Sequence, residues 1–318
     1  MSQLAELQRD LQDVYVAIAH AERTLAAHPF VPSVEATLRT IQIRRENLEE
    51  QFFSVANKIG LDVCCYRIEP PDYQRTTIAG MTAVLGAFQK VFTSVYDAIV
   101  NGPKKSAKAS AAVIDATTFG FAYTFPGSTG VMMTLENERL LLTETDLDIA
   151  MRKTFELMSY RDQSQIEEVT KQVGLGAVRQ AYQWANENAI AGYGAAIDWQ
   201  REGVSKFNVR IQTQEISRLA SVIKRATAKD EVTLIGDLLH VSIPDKTFQM
   251  QVDERMIQGG FDVAISHAHP VQLPQRYRAT LNVHEKVITE EGEDEIAYFL
   301  LRLDPPDVPP LLTDLASS

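Results

Sequence analysis

The chain has 318 residues but only two cysteines, and these are neighbours, Cys64 and Cys65. Successive residues on a strand point to opposite faces, so no ordinary disulfide is expected between them. A secreted disulfide scaffold is thereby excluded, and the cytoplasm is the expected compartment. Basic residues are scarce too: 31 Lys and Arg stand against 42 Asp and Glu, a formal charge of −11. Unspecific binding to DNA or RNA needs a basic surface, so the balance disfavours nucleic acid as a bulk partner. There is no long uninterrupted apolar run. The most apolar stretch, 79–100, contains Gln89, Lys90 and Asp97 and reads as a buried amphipathic helix, not a membrane span. Residues 1–10 show no signal-peptide pattern. A phosphate-binding Gly-x-x-x-x-Gly-Lys-Ser/Thr loop is absent, as is a His-Glu-x-x-His helix, which removes the usual signatures of P-loop nucleotide hydrolases and zinc proteases.

What is present begins at the N-terminus. Leu4, Leu7, Leu11, Val14, Ile18, Ala21 and Leu25 recur at alternating spacings of three and four, on one stripe of a helix. Leu38, Ile41, Leu48, Phe52, Val55 and Ile59 form a second stripe, with Arg45 at its one interruption. His28-Pro29-Phe30-Val31-Pro32 separates the two, and its prolines cannot continue a helix. The pattern predicts a helical hairpin or coiled-coil arm over 1–60. It also makes Leu4, Leu7, Leu11, Val14, Ile18, Leu25, Leu38, Ile41, Leu48 and Phe52 the expected oligomerisation seam.

The rest of the chain divides by period. A strand is expected over 61–68, closed by Pro70-Pro71, then a helix over 76–100 and a linker over 101–108. A β-hairpin follows over 117–135, turning at 126–130. Helices are expected over 146–160 with Thr145 as N-cap, over 163–173 with Gly174 as C-cap, and over 176–190 ending at Gly192. Strands over 195–200 and 207–212 and a helix over 215–226 complete a mixed α/β domain, 61–228. From 229 to 305 the period is two. Five strands, over 232–241, 248–252, 261–265, 277–287 and 296–303, suggest a small antiparallel barrel of SH3-like or OB-like kind. Residues 306–318 read as an extended tail. The fold class is α+β.

Chemistry is thinly marked, and no catalytic residue or cofactor is assigned. His267 and His269, at i and i+2, share one face of an extended strand and suffice to start a metal site, with His240, Asp262 or His284 completing it. A loop with two solvated imidazoles accounts for them more simply. Gly174-Leu175-Gly176 and Gly192-Tyr193-Gly194 fail the dinucleotide fingerprint, since Arg179 and Ile197 stand where its third glycine belongs. Asp245 with Asp253, Glu254 and Arg255 superficially resembles a nuclease site, but Arg cannot shed its charge to act as base. Trp199 fits a core better than a binding edge. On the barrel, Arg276, Arg278, Lys286 and Arg302 interleave with aromatics and mark a candidate surface for nucleic acid or a partner. Alternation places Tyr277, Ala279 and Leu281 inward and Arg276, Arg278 and Thr280 outward.

These observations lead to a non-enzymatic, oligomeric binding or adaptor protein. It would assemble with itself or a partner protein through the N-terminal helices and recognise a partner with its barrel. A single-stranded nucleic-acid-binding component and a metal-dependent hydrolase using His267 and His269 are the alternatives.

Overall fold

The computed structural model describes residues 2–28, 31–71, 76–125, 129–137, 144–261, 271–288 and 296–305. They form two compact units, residues 1–224 and 225–318. The protein is a mixed α+β chain whose second unit is a closed five-stranded barrel. The change of period expected at 229 falls four residues from this division. No division falls at residue 60, because the N-terminal helices pack on the sheet that follows them.

The first unit opens with α1 (Gln3–Ala27) and α2 (Pro32–Lys58), which pack on each other. Ser2 caps α1 by accepting from Ala5 N–H, and a proline opens α2 where its missing donor costs nothing. The strands β1 (Leu61–Glu69), β2 (Gly120–Phe125), β3 (Thr129–Glu136), β4 (Gly194–Arg201) and β5 (Val204–Ile211) form an antiparallel sheet in the order β2-β3-β1-β4-β5. Central β1 is covered on both faces, which explains its nearly unbroken apolar run. Leu61, Val63 and Cys65 pack toward the hairpin. On the other face Tyr66 stacks edge-on to Phe88 of α3 (Ile78–Asn101), at 5.3 Å, and its hydroxyl accepts from the indole of Trp184. The edge strand β2 is partly closed by α1: Gln12 Oε1 accepts from Thr124 N–H at 3.0 Å, which blunts an edge otherwise open to another strand.

Helix α3 packs on α5 (Asp146–Ser159) and α6 (Gln163–Ala191). By length and composition α3 could cross a membrane, but Gln89 and Asp97 find partners within the protein. Gln89 donates to the Thr117 carbonyl and accepts from Phe119 N–H, and buried Asp97 pairs with Lys104 at 2.7 Å. Thr145 and Asp148 form a reciprocal capping box at the start of α5, as the N-cap expectation required. A short helix, α4 (Ala111–Thr117), lies where no element was expected; seven residues are too few for a clear period. The unit ends with α7 (Thr213–Arg225).

The linker and the Gly174 C-cap turn out to be one device. Helix α6 is broken at Gly174, where φ is 78°. The segment after α3 runs so close to the break that a Cβ on Gly174 would sit 2.4 Å from the backbone of Lys104. Gly176 N–H then donates to the Lys104 carbonyl. The glycine pair therefore seats this strap on α6, in addition to ending a helix.

The second unit contains β6 (Thr227–Ser242), β7 (Thr247–Val252), β8 (Arg255–Phe261), β9 (Gln275–Lys286) and β10 (Ile296–Asp304). They close in the order β10-β8-β7-β6-β9, with β8 and β10 parallel and the other pairs antiparallel. Leu238, Phe248, Met250, Ala279, Leu281 and Leu300 fill the interior. Burial along β9 alternates residue by residue, with Tyr277, Ala279 and Leu281 inside. Two placements differ from expectation: β6 begins five residues earlier, and a strand runs over Arg255–Phe261, where none was expected before 261; residues 262–265 of the expected strand lie outside the described residues. Met256 and Gly259-Gly260 break the polar–apolar alternation there, so pattern alone pointed to the more apolar segment after them.

Candidate functional site

The expected oligomerisation seam is largely occupied by the chain itself. Leu7, Leu11, Val14, Ile18 and Phe52 are buried. Leu11, Val14, Ile18 and Phe52 share one cluster with Val63, Tyr123, Phe125 and Met132 of the sheet, and Leu4, Leu38, Ile41 and Leu48 pack at its margin. Tyr15 donates a hydrogen bond to Glu49, tying the two helices together. Leu25 is half-buried, and among the described residues of the hairpin the large apolar side chains left exposed are Val16, Ile43 and Ile59.

His267 and His269, with Asp262, lie outside the described residues. His240 and His284 do not approach one another along the barrel. His284 pairs in register with Lys229 near one end of β6, whereas His240 lies near the other end. Among the described residues no group of three or more His, Cys, Asp or Glu is placed to hold a metal ion. The nuclease-like acids sit at tight turns: Asp245 accepts from Ser242 after β6, and Asp253 takes φ of 54° between β7 and β8. Trp199 is fully buried, 6.2 Å from the ring of Phe92. Gly192 is a left-handed C-cap, and the Tyr193 hydroxyl accepts from Thr77 N–H.

On the barrel, Arg276, Arg278 and Lys286 alternate with the inward residues of β9, but each has acid close to hand or partners of its own. Arg276 stands opposite Asp237, and Arg278 opposite Asp304. Lys286 has partners too. Arg302 Nε lies 2.9 Å from Asp304. These cations do not merge into one basic groove. The neighbouring face, β7–β8, is different. Gln249 pairs with Gln258, Gln251 with Met256, and Thr247 with Gly260, which in turn neighbours Phe299 on β10. Met256 and Phe299 are 56% and 43% exposed, and the His284 ring lies 5.0 Å from that of Phe299. The face is uncharged, rich in amides and set with two apolar anchors.

The strongest electrostatic feature is in the first unit, and sequence reasoning missed it. The Arg201 guanidinium at the end of β4 binds Asp62 on β1, with Nη2 to Oδ2 at 2.7 Å, and also Asp148 on α5. Asp62 is fully buried. Asn137 donates to the same Asp62 oxygen at 2.7 Å, while its own Oδ1 is buried without a partner. Hydrogen bonding to Asp62 holds Arg201 above its ordinary range; burial opposes this, and Asp148 adds to it. The four residues come from positions 62, 137, 148 and 201, and only Thr145, the cap preceding Asp148, was visible locally. Asn137 is also part of a cleft of about 800 Å³ at the Leu61–Glu136 end of the sheet. Tyr96, Asp115, Thr118, Glu136, Glu144 and Asp146 line its walls.

The two cysteines occupy opposite faces of β1, as alternation requires. Burial raises the Cys64 thiol well above its ordinary value. Burial also pushes Cys65 up to about 11 from 9.0, partly offset by Arg67. Burial raises Tyr15, Tyr66 and Tyr123 as well. An unfolded chain releases these protons first, so it binds fewer protons than the folded chain above about pH 9, and stability falls as pH rises. The urea midpoint followed by tryptophan fluorescence is expected to hold from pH 7 to 9 and to fall by pH 10.5. Cys65→Ser should flatten that fall. A midpoint that stays level to pH 10.5 in the parent protein contradicts the assignment.

Set against protein families, curated proteins and solved structures, the chain matches none. Its class therefore rests on the fold: an α+β protein with a helix pair on an antiparallel sheet, followed by a closed barrel.

Proposed function

We propose that this chain is a non-enzymatic binding protein whose C-terminal barrel is the recognition module. The barrel's connectivity carries the reading. Counting β6 to β10 as one to five, the strands run 1-2-3-5-4 around the barrel, with three and five parallel. This favours the OB type over the SH3-like type, and OB barrels present the outer face of strands two and three to extended ligands. Here that face is β7–β8, with its glutamines, Met256 and the neighbouring Phe299. Residues 225–318 carry eight Lys and Arg against sixteen Asp and Glu, which favours a polar or basic protein segment over nucleic acid as the occupant.

A second reading, single-stranded nucleic acid, draws on the Phe299–His284 pair, an exposed platform on which a base can stack. The hydrolase reading rests on His267 and His269, and unchanged thermal stability after chelation would remove it. Self-association through the hairpin would have to use its outer surface, around Val16 and Ile43.

The test is affinity capture from host cells with the full chain and with a Met256→Ala/Gln258→Ala/Phe299→Ala variant, alongside anisotropy titrations with fluorescent oligonucleotides. A protein partner retained by the parent chain and lost with the variant is the expected result. Oligonucleotide binding that weakens with salt and with Phe299→Ala would favour the second reading. Equal capture by both chains would remove the β7–β8 face from the proposal.

A further inference from the structure

We propose that the open edge of β6 pairs with the same edge of a second copy of the chain, forming an antiparallel strand dimer about a two-fold axis. Strand β6 is shared between two neighbours: β9 runs along residues 227–238, but β7 pairs only from Asp237 to Ser242. Among the described residues, no strand is hydrogen-bonded to the other side of 230–236. One bond sets the backbone phase. Val287 N–H donates to the Ala226 carbonyl, so Ala226 turns its backbone toward the β9 side. From there the register runs without a shift to Leu238. Alternation gives Asp230, Val232 and Leu234 to β9 and turns the N–H and C=O groups of Glu231, Thr233 and Ile235 outward. The side chains of these three are exposed, Ile235 by 42%.

Open edges are normally guarded, and both edges of the first sheet are. Gln12 accepts from the Thr124 N–H of β2. Strand β5 carries exposed Lys206 and Arg210, and its pairing with β4 is interrupted by a bulge. Residues 230–236 have no proline, no bulge and no basic side chain. Their side chains select the occupant. A two-fold centred on Glu231 sets two carboxylates face to face, and one centred on Thr233 sets Glu231 against Ile235. Centring on Val232 sets Glu231 against Thr233 and Asp230 against Leu234, so no like charges are opposed. It also brings the two Val232 side chains together, on the side where Val232 and Leu234 already pack against the barrel interior. A uniformly basic strand suits this edge less well. Asp230 and Glu231 point to opposite faces, while Val232, Leu234 and Ile235 call for apolar neighbours.

A lone strand pair buries less than a standard interface, so the dimer is weak, with a Kd on the order of 100 μM. Sedimentation velocity of the full chain from about 5 to about 500 μM is expected to show reversible dimer formation. Thr233 supplies the variants. Thr233→Pro removes an outward N–H while sparing the β9 ladder, and should abolish the dimer. Thr233→Glu opposes Glu231 of the other copy at two places and should weaken the dimer by about two- to thirtyfold, whereas Thr233→Lys should tighten it by a similar factor. Residue-resolved amide exchange should find Thr233 unprotected at low concentration and protected at high, with unchanged β9 protection showing that each variant keeps its barrel. A monomer throughout, a dimer indifferent to all three substitutions, or a Thr233 amide already protected in the monomer would each overturn the pairing. Loss of a captured partner protein in Thr233→Pro, with the parent chain monomeric, would assign the edge to a different chain and overturn it too. The barrel-face variant should dimerise as the parent does, and Thr233→Glu should leave partner capture intact, so this pairing and the recognition module fail separately.

Discussion

Arg201→Met is expected to cost the first unit about 3–5 kcal/mol, the loss typical when one partner of a buried ion pair is removed. Asp62 is fully buried and Asp148 nearly so, and Arg201 is the cation that binds both. Without it, two carboxylates remain in a site with little water, with Asn137 donating to both and Thr145 N–H to Asp148 but no cation bound to the pair. Both tryptophans, Trp184 and Trp199, belong to the first unit, so their fluorescence during urea unfolding reports this unit separately from the barrel. The sign of a second substitution makes the assignment sharper. Asp148→Asn should destabilise the parent protein, because it removes a charge-assisted bond, yet stabilise Arg201→Met, because it removes a stranded charge. Additive effects of the two substitutions, or an unchanged midpoint in Arg201→Met, would show that the cluster is solvated and contributes little.

The second large effect is expected at the hairpin. Leu11→Ala should lower stability by about 2–5 kcal/mol, the range for emptying a filled core site. Leu11 is fully buried among Val14, Phe52, Tyr123 and the other residues of its cluster. Leu11→Glu/Ile18→Glu places two carboxylates in that core and should unfold the first unit outright. Hydrogen exchange read by mass spectrometry should show lost protection in residues 3–211 while the barrel peptides keep theirs. A surface seam would behave differently, with the same pair of glutamates dissolving an assembly and leaving the fold intact. Light scattering on Val16→Glu/Ile43→Glu, which alters only exposed positions, tests the outer surface separately. A drop in mass there would support hairpin-mediated assembly, and an unchanged mass would remove the hairpin from that role.

These expectations rest on different kinds of information. The two apolar stripes, the break between them, the Thr145 cap, the left-handed Gly192 and the inward–outward alternation of β9 are all local. Each follows from the period or conformational preference of a few consecutive residues, and each was legible without coordinates. The buried charged cluster around Arg201 was not. Asp62 reads as one polar residue in an apolar strand, Asn137 follows a strand, Asp148 reads as part of a helix cap, and Arg201 ends another strand. Nothing in their spacing announces that they meet. Similarly, Gly174 and Gly176 read as caps because the helix around them is local, whereas the strap of residues 102–107 comes from 70 residues earlier.

By itself, then, the sequence determined which residues form helices and strands and which face of each is apolar, because short-range sterics and side-chain period set both. The tertiary structure decided what covers each face. It placed the hairpin stripe on the sheet of the same chain, brought Arg201 to two buried carboxylates, and closed the barrel through the parallel pairing of β8 with β10. An apolar stripe lowers its free energy against any complementary surface, so period alone cannot distinguish a partner molecule from the chain's own sheet. Only the packed fold identifies the surface that is actually there.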